Sequence, residues 1–331
     1  MAGISRSRIA ALDASSGMVL PLFQTGVSGN SPVIHCMIQV ADMILLGGSF
    51  SSIGGVSRNG IAAIDPSNGS VLPWYPGGIS GSIFDFCLRG NILYLCGSFN
   101  SVAGLTRNCI SALDVTSGQI LSWYPQGGIS GGNPQKLLVS LDGSKIYLGG
   151  YFTSVGGAAI QKLVAIDLNS GNVLSNWGQN NSIGGGSNPH VTDMIQIENN
   201  LFVGGVFTLI AGQNRVGFAV LNATTGDLTS LNVRFGGSVL KPSISSFAKK
   251  NTNLYAAGQF ISVETESRIS IVCLNSSTLQ LLQWYPQGGL REYNSSVSKG
   301  FFLNNDTWWL NGSFQSIGGV ACNNLAKLNL F

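Results

Sequence analysis

Apolar runs of five to eight residues, rich in Ile, Val, Leu and aromatics and closed by Gly, Asn, Ser or Pro, follow one another along the whole chain. Runs of this length with such boundaries predict β-strands joined by turns. They recur in order. One run ends in Gly-x-Phe, at Phe50, Phe99, Phe152, Phe207, Phe260 and Phe314, with intervals of 49, 53, 55, 53 and 54 residues. About ten residues later a second run ends in an acid or amide, as at Asp65, Asp114, Asp167, Asn222 and Asn275. A third, shorter run closes the unit, as in residues 71–74, 120–123 and 281–284. Adding the run ahead of each Gly-x-Phe, such as residues 83–88, gives four strands in each unit of about 53 residues.

Four antiparallel strands repeated at this period predict a propeller blade. The expected fold is therefore all-β, a single six-bladed β-propeller of four-stranded antiparallel blades spanning residues 1–331. Counted from the inside outward there are six first, six second, seven third and six fourth strands. The seventh third-strand segment arises because residues 9–13 and 325–331 both carry that pattern. Ring closure is expected to combine N-terminal strands from residues 1–23 with the C-terminal ones. One third-strand segment is then surplus, as an extra edge, a displaced arm or a strand lent to a neighbour.

These units resemble kelch repeats, with a strand ending in Gly-Gly, a strand ending in Asp, then a turn and a Trp. They are even more similar to the GGxF-type propeller repeats of secreted, cell-surface and cortical polarity-marker proteins, which read Gly-Gly-x-Phe-x-Ser-x-Gly-Gly-x-x-Arg-Asn. The resemblance runs from Arg6 to Phe331 and implies the fold, while propellers as a class carry many unrelated activities.

Composition narrows the function classes. Only 31 of 331 residues are charged and 45 are Gly, against about 25% charged in an ordinary domain, which excludes a charged disordered protein. No apolar stretch approaches about 18 residues, so no membrane insertion is expected, and residues 1–8 do not read as a signal peptide. The net charge of +3 is too small and scattered for nucleic acid. Six cysteines without close spacing fit neither a zinc site nor a disulfide scaffold, and free thiols are expected.

The recurring polar residues favour structural roles. Asp65, Asp114 and Asp167 share their position with Asn222 and Asn275, which a general acid or base could not do but a turn acceptor could. The glycines Gly48, Gly97, Gly150, Gly205, Gly258 and Gly312 mark one repeat position where strands crowd. Arginines seven residues before the acid or amide, among them Arg58, Arg107, Arg215 and Arg268, could form an anion-binding ring but suit the tying of loop carbonyls better. Trp74, Trp123, Trp177 and Trp284 could stack on sugars, yet periodic aromatics more often wedge between blades. With only His35 and His190, a His-based metal site or a Ser-His-Asp triad has no material. No enzyme, no metal and no cofactor is expected.

The departures from the repeat point to binding. First–second and third–fourth turns should share one face, and the longer second–third and fourth–first connections the other. The second–third loop of the fifth repeat carries Glu264 and Glu266 in place of the usual glycines, and the connection after it carries Arg291, Glu292 and Tyr293. These are the candidate contact residues. The expected function is a structural or attachment propeller in a larger assembly such as a virion, phage appendage or cell-surface layer, with other protein subunits as partners and a surface glycan as a further ligand. An initiator-like Met without a leader favours a virion component. The alternatives are an intracellular kelch-like adaptor and a glycan-binding, lectin-like propeller.

Overall fold

The computed structural model describes residues 6–237, 241–286, 289–291, 296–303, 307–322 and 324–329. Among them there is no helix, and so none long and apolar enough to cross a membrane. The chain divides into two units. The first comprises residues 1–148, 152–160 and 166–173, the second residues 149–151, 161–165 and 174–331. The boundary falls within strands Lys145–Tyr151 and Leu163–Asp167.

In the first unit, repeat one forms an antiparallel sheet of Val33–Val40, Met43–Ser49 and Ile61–Ile64, in that order. Repeat two forms Ile79–Arg89, Ile92–Val102 and Ile110–Asp114. In the second unit the same order recurs in His190–Ile197, Asn200–Val206 and Phe218–Asn222, then Ser243–Lys250, Asn253–Gln259 and Ile271–Asn275, then Ser296–Leu303, Thr307–Ser313 and Leu325–Asn329. The middle strands Met43–Ser49, Asn200–Val206 and Asn253–Gln259 are buried over most of their length, which is why they read as continuous apolar runs rather than alternating ones.

The first strand of each sheet carries a β-bulge, between Ile34 and Cys36, Ile83 and Asp85, Val191 and Asp193, Ile244 and Ser246, and Val297 and Lys299. A bulge pushes backbone toward the partner strand. The carbonyl oxygens of Val33, Ser82, His190, Ser243 and Ser296, next to these bulges, press on Gly48, Gly97, Gly205, Gly258 and Gly312, where a Cβ would overlap them. The glycine one residue earlier has a different task. A Cβ on Gly47 would lie 2.7 Å from Phe86 Cζ and one on Gly204 2.9 Å from Phe247 Cε2, so these positions let the next repeat pack against the sheet.

Gly-x-Phe also forms half of a backbone clamp. Gly97 N donates to Cys109 O at 3.0 Å and Cys109 N to Phe99 O at 2.9 Å, with Gly48/Gly60/Phe50, Gly205/Gly217/Phe207, Gly258/Ser270/Phe260 and Gly312/Asn324/Phe314 arranged alike. The clamped residue has positive φ, which Gly60 and Gly217 tolerate freely, whereas Cys109, Lys162, Ser270 and Asn324 are held there at 64–67°.

Two expectations are revised. The fourth segment is not a strand but a single bridge, as in Ile64↔Val71, Leu113↔Ile120 and Leu274↔Leu281. After Leu72 N bonds Ala63 O the chain leaves the sheet; Pro73 has no N–H to continue the ladder. The second–third connections are likewise not open loops. Ser52–Ile53 and Val56–Ser57 form a two-residue hairpin, to which Val27–Ser28 of the preceding connection adds a third strand. Equivalent small sheets form around Leu209–Ile210, Ser262–Val263 and Ser316–Ile317.

Of the two competing third-strand segments, Leu325–Asn329 pairs beside Thr307–Ser313. Residues 330–331 lie outside the described residues. The N-terminal segment bridges its own hairpin through Leu12↔Val19 and is no displaced arm, for Ile9 is buried with Phe23, Val27, Leu46 and Ile64.

The bulge contact separates two kinds of glycine. Gly97→Ala is expected to destabilise by more than about 4 kcal/mol or to abolish soluble expression. Gly104→Ala, at φ +79° with open space around it, should cost only about 1–2 kcal/mol. Urea melts of both variants check this, and equal losses would refute the close-approach reading.

Candidate binding surface

The acid or amide at the end of each third strand caps the hairpin that follows. Asp65 Oδ1 accepts from Ser67 N at 2.7 Å and Ser67 Oγ at 2.6 Å, while Gly69 N donates to Asp65 O at 2.8 Å with Gly69 at φ +77°. Asp114 and Asp167 repeat this with Ser117 and Ser170. Asn222 Oδ1 accepts from Thr224 N at 2.9 Å and Asn275 Oδ1 from Ser277 N at 3.0 Å, so the amide serves equally. These hydrogen bonds hold the exposed carboxyls of Asp65, Asp114 and Asp167 below the usual carboxylate range.

The arginines latch the same hairpin from the other side. Arg58 donates to Ser57 O at 3.0 Å and Leu72 O at 3.3 Å, and its guanidinium lies 4.6 Å over the Tyr75 ring. Tyr75 Oη in turn accepts from Asn59 N at 3.2 Å. Arg107 with Tyr124 and Arg268 with Tyr285 copy this arrangement, at 4.8 and 4.7 Å. Trp123 of the Trp-Tyr-Pro segments stands edge-on to Tyr94 of its own repeat at 4.8 Å and donates to Asp167 O of the next at 3.3 Å; Trp177 donates to Ala223 O at 3.0 Å. Guanidinium and indole thus bridge backbone segments.

Sequence reasoning missed a third set of polar residues, those beside the bulges. Asp85, only 5% exposed, accepts from Leu137 N at 2.9 Å and lies 3.5 Å from Lys136 Nζ, both on the first strand of the next repeat. Asp193 accepts from Phe247 N at 2.6 Å, Ser246 Oγ accepts from Gly300 N at 2.9 Å, and Ser245 Oγ donates to Val297 O. Each joins the first strand of one repeat to that of the following one. An acid inside an apolar run, as in residues 83–88, was the available signal.

The loop candidates are distributed as follows. Glu264, at φ +51° in the fifth repeat's small hairpin, accepts from Arg234 N through Oε1 at 2.8 Å, and Glu266 lies 3.7 Å from Arg268. Arg291 belongs to a different small sheet, paired with Ser316. Glu292 and Tyr293 lie outside the described residues. Nor do the connections divide into two separate faces. The Gly118 turn packs on Pro76 of the preceding fourth–first connection, where a Cβ on the glycine would lie 3.3 Å from Pro76 Cα, and Gly171 packs likewise on the Tyr124 backbone, 3.2 Å from where its Cβ would stand. The small hairpins fold back onto the fourth segments, so that a Cβ on Gly54 would lie 3.0 Å from Val71 Cγ2, and this brings both kinds of loop together.

All six cysteines are free. Burial pushes the Cys273 thiol up to about 11 and raises Cys96 well above the ordinary thiol range, away from nucleophilic reactivity. Among the described residues no three His, Cys, Asp or Glu side chains are grouped to hold a metal ion.

Residues 42–71 match the model of a β-propeller domain of unknown function, DUF5122. No curated protein sequence matches. Among solved structures, the computationally designed protein Ika8 is 13% identical over 94% of this chain and 76% of its own, with a TM-score of 0.53. The extracellular domain of BT4673, a protein assigned to the one-component systems of B. thetaiotaomicron, is 14% identical over 94% of this chain and 38% of its own, with a TM-score of 0.57. The chain therefore spans well under half of that second protein. Together with the repeated antiparallel sheets, these likenesses support a β-propeller domain.

The turn chemistry yields a test. Asp65→Asn should leave the melting temperature unchanged and Asp65→Ala should lower it. Because the folded carboxyls lie below their ordinary value of about 3.9, the stability they add is present above about pH 4 and is lost as pH falls further. Acid titration of the melting temperature checks this, and an Asp65→Asn loss equal to that of Asp65→Ala would contradict it.

Proposed function

We propose that the chain is a closed six-bladed propeller acting as a non-enzymatic attachment or structural module at an extracellular or virion surface, with other protein subunits as its partners. One observation carries the reading. The recurring Asp, Arg and Tyr side chains, with Trp123 and Trp177, are engaged with the chain's own backbone, whereas one position of the small hairpins, half-buried in the third repeat and exposed in the others, changes from repeat to repeat. It holds Val56, Leu105, Ala158, Gln213, Glu266 and Val320, of which Val56, Leu105 and Val320 are 41, 49 and 67% exposed. A constant frame presenting varied side chains suits recognition, and scattered apolar residues in a charge-poor surface suit protein contact. The likeness to an extracellular domain agrees with placement outside the cell.

Sedimentation of native source material, followed by detection of this chain, tests the proposal. The chain should travel with a large particle or complex, and Leu105→Glu or Val320→Glu should release it while leaving the melting temperature unchanged. A wild-type chain that sediments alone would overturn the reading.

A further inference from the structure

Within the first unit, the fourth–first connection of repeat one, the small hairpin of repeat two and the third–fourth turn of repeat two line an open, solvent-facing cavity of about 460 Å³. Its size lies in the range of about 300–1,000 Å³ typical of small-molecule sites. Tyr75 and Pro76 line it together with Leu105, Ile120, Ser117 and Gln119, and no charged side chain lines it.

The walls are held in place. Gly77, at φ +106°, sits so close to the small hairpin that a Cβ there would lie 2.8 Å from Ala103 Cβ, and Gly118 lies against Pro76. Tyr75 has its hydroxyl engaged with Asn59 N and one ring face covered by the Arg58 guanidinium. Ser117 Oγ is spent on Asp114 Oδ1 and Gln119 N. The Gln119 side-chain amide has no hydrogen-bond partner among the described residues. It offers two donors and an acceptor beside apolar surface that includes half-exposed Leu105.

We propose that this cavity binds a neutral saccharide. The lining offers nothing to a charged ligand, whose desolvation would go uncompensated. It does offer what a sugar ring presents: apolar C–H faces to set against Tyr75, Pro76 and Leu105, and paired hydroxyls that an amide can meet as donor and acceptor at once. A proline-rich peptide is the less favoured occupant, because grooves for such peptides are lined with several aromatic rings and this cavity has one. The site does not rest on the protein contacts proposed above, although Leu105 borders both; Gln119→Ala, which leaves Leu105 in place, tells the two apart.

Saturation-transfer NMR and calorimetry of the whole chain with cellobiose, maltose, lactose and chitobiose test the proposal, with a proline decamer as the competing probe. At least one disaccharide should bind with millimolar affinity, typical of a small open site. Gln119→Ala and Leu105→Trp, the latter filling the cavity, should each weaken that binding about tenfold or more with unchanged melting temperature; if Leu105→Trp folds poorly, Gln119→Ala and Leu105→Ala, which removes apolar wall without touching the turn, decide. No binding by any of the four, binding that survives both substitutions, or binding of the proline decamer alone would overturn it.

Discussion

The close approach of a bulged first strand to a glycine of the second strand is the constraint on which the rest of the structure depends. At Gly48, Gly97, Gly205, Gly258 and Gly312 a carbonyl oxygen occupies the space of a Cβ. No side chain can be accommodated without breaking the pairing, so glycine is required by geometry and not by flexibility. The extra residue of the bulge shifts the alternation of side chains along the first strand. Polar groups that would otherwise face the apolar sheet-packing surface are redirected toward the next repeat, where Asp85, Asp193 and Ser246 meet backbone N–H groups. A buried carboxylate would be costly alone; Asp85 and Asp193 each have a backbone donor, and such charge-assisted bonds contribute about 1.5–3 kcal/mol apiece.

Outside that strand the same economy holds. The Gly-x-Phe clamp fixes where the third strand begins, the Asp or Asn cap fixes where it turns, and the Arg–Tyr pair fastens the departing fourth segment. Three local devices thus rebuild one sheet geometry in each repeat although few residues in the sheets are identical. Where a device is missing, packing substitutes for it. The fifth repeat has Leu279 at φ +59° in the hairpin position that Gly69, Gly118 and Gly226 occupy elsewhere. Leu279 is buried against Val233 and Phe235, beside Leu231, of the preceding repeat's connection, which has no Trp-Tyr-Pro. Burial of a Leu, worth about 1.5–3 kcal/mol, offsets a backbone strain of about 1–2 kcal/mol.

Much of this was legible beforehand because it is periodic. The Gly-x-Phe spacing located the three main strands of each repeat, though not the fourth, which is only a bridge, and the exchange of Asp65, Asp114 and Asp167 for Asn222 and Asn275 identified a turn acceptor. The small hairpins were not legible. Pairs such as Ser52–Ile53 and Val56–Ser57 are too short to carry an alternating pattern, and the Gly-Gly between them reads as a plain loop. The positive-φ clamp position was hidden for another reason: Cys109, Lys162, Ser270 and Asn324 share no chemistry that would betray a backbone angle. The acidic loop of the fifth repeat stood out because charge is scarce, yet Glu264 is engaged with the backbone of its own unit. The Tyr75–Gln119 cavity left no motif, since its lining comes from three separate loops.

Hydrogen exchange of the amides that the bulges recruit tests the account most directly. Leu137 N and Phe247 N bond to carboxylates of neighbouring repeats rather than to a strand ladder, so ordinary sheet pairing does not protect them through those bonds. If the stitches are integral to the fold, both amides should exchange as slowly as the core strand amides of Leu95 and Ala256, and Asp193→Ala should accelerate Phe247 alone or with its strand. Exchange of Leu137 and Phe247 at the rate of exposed loop amides, with Leu95 and Ala256 protected, would show that the repeats hold together without the bulge contacts and would contradict the account.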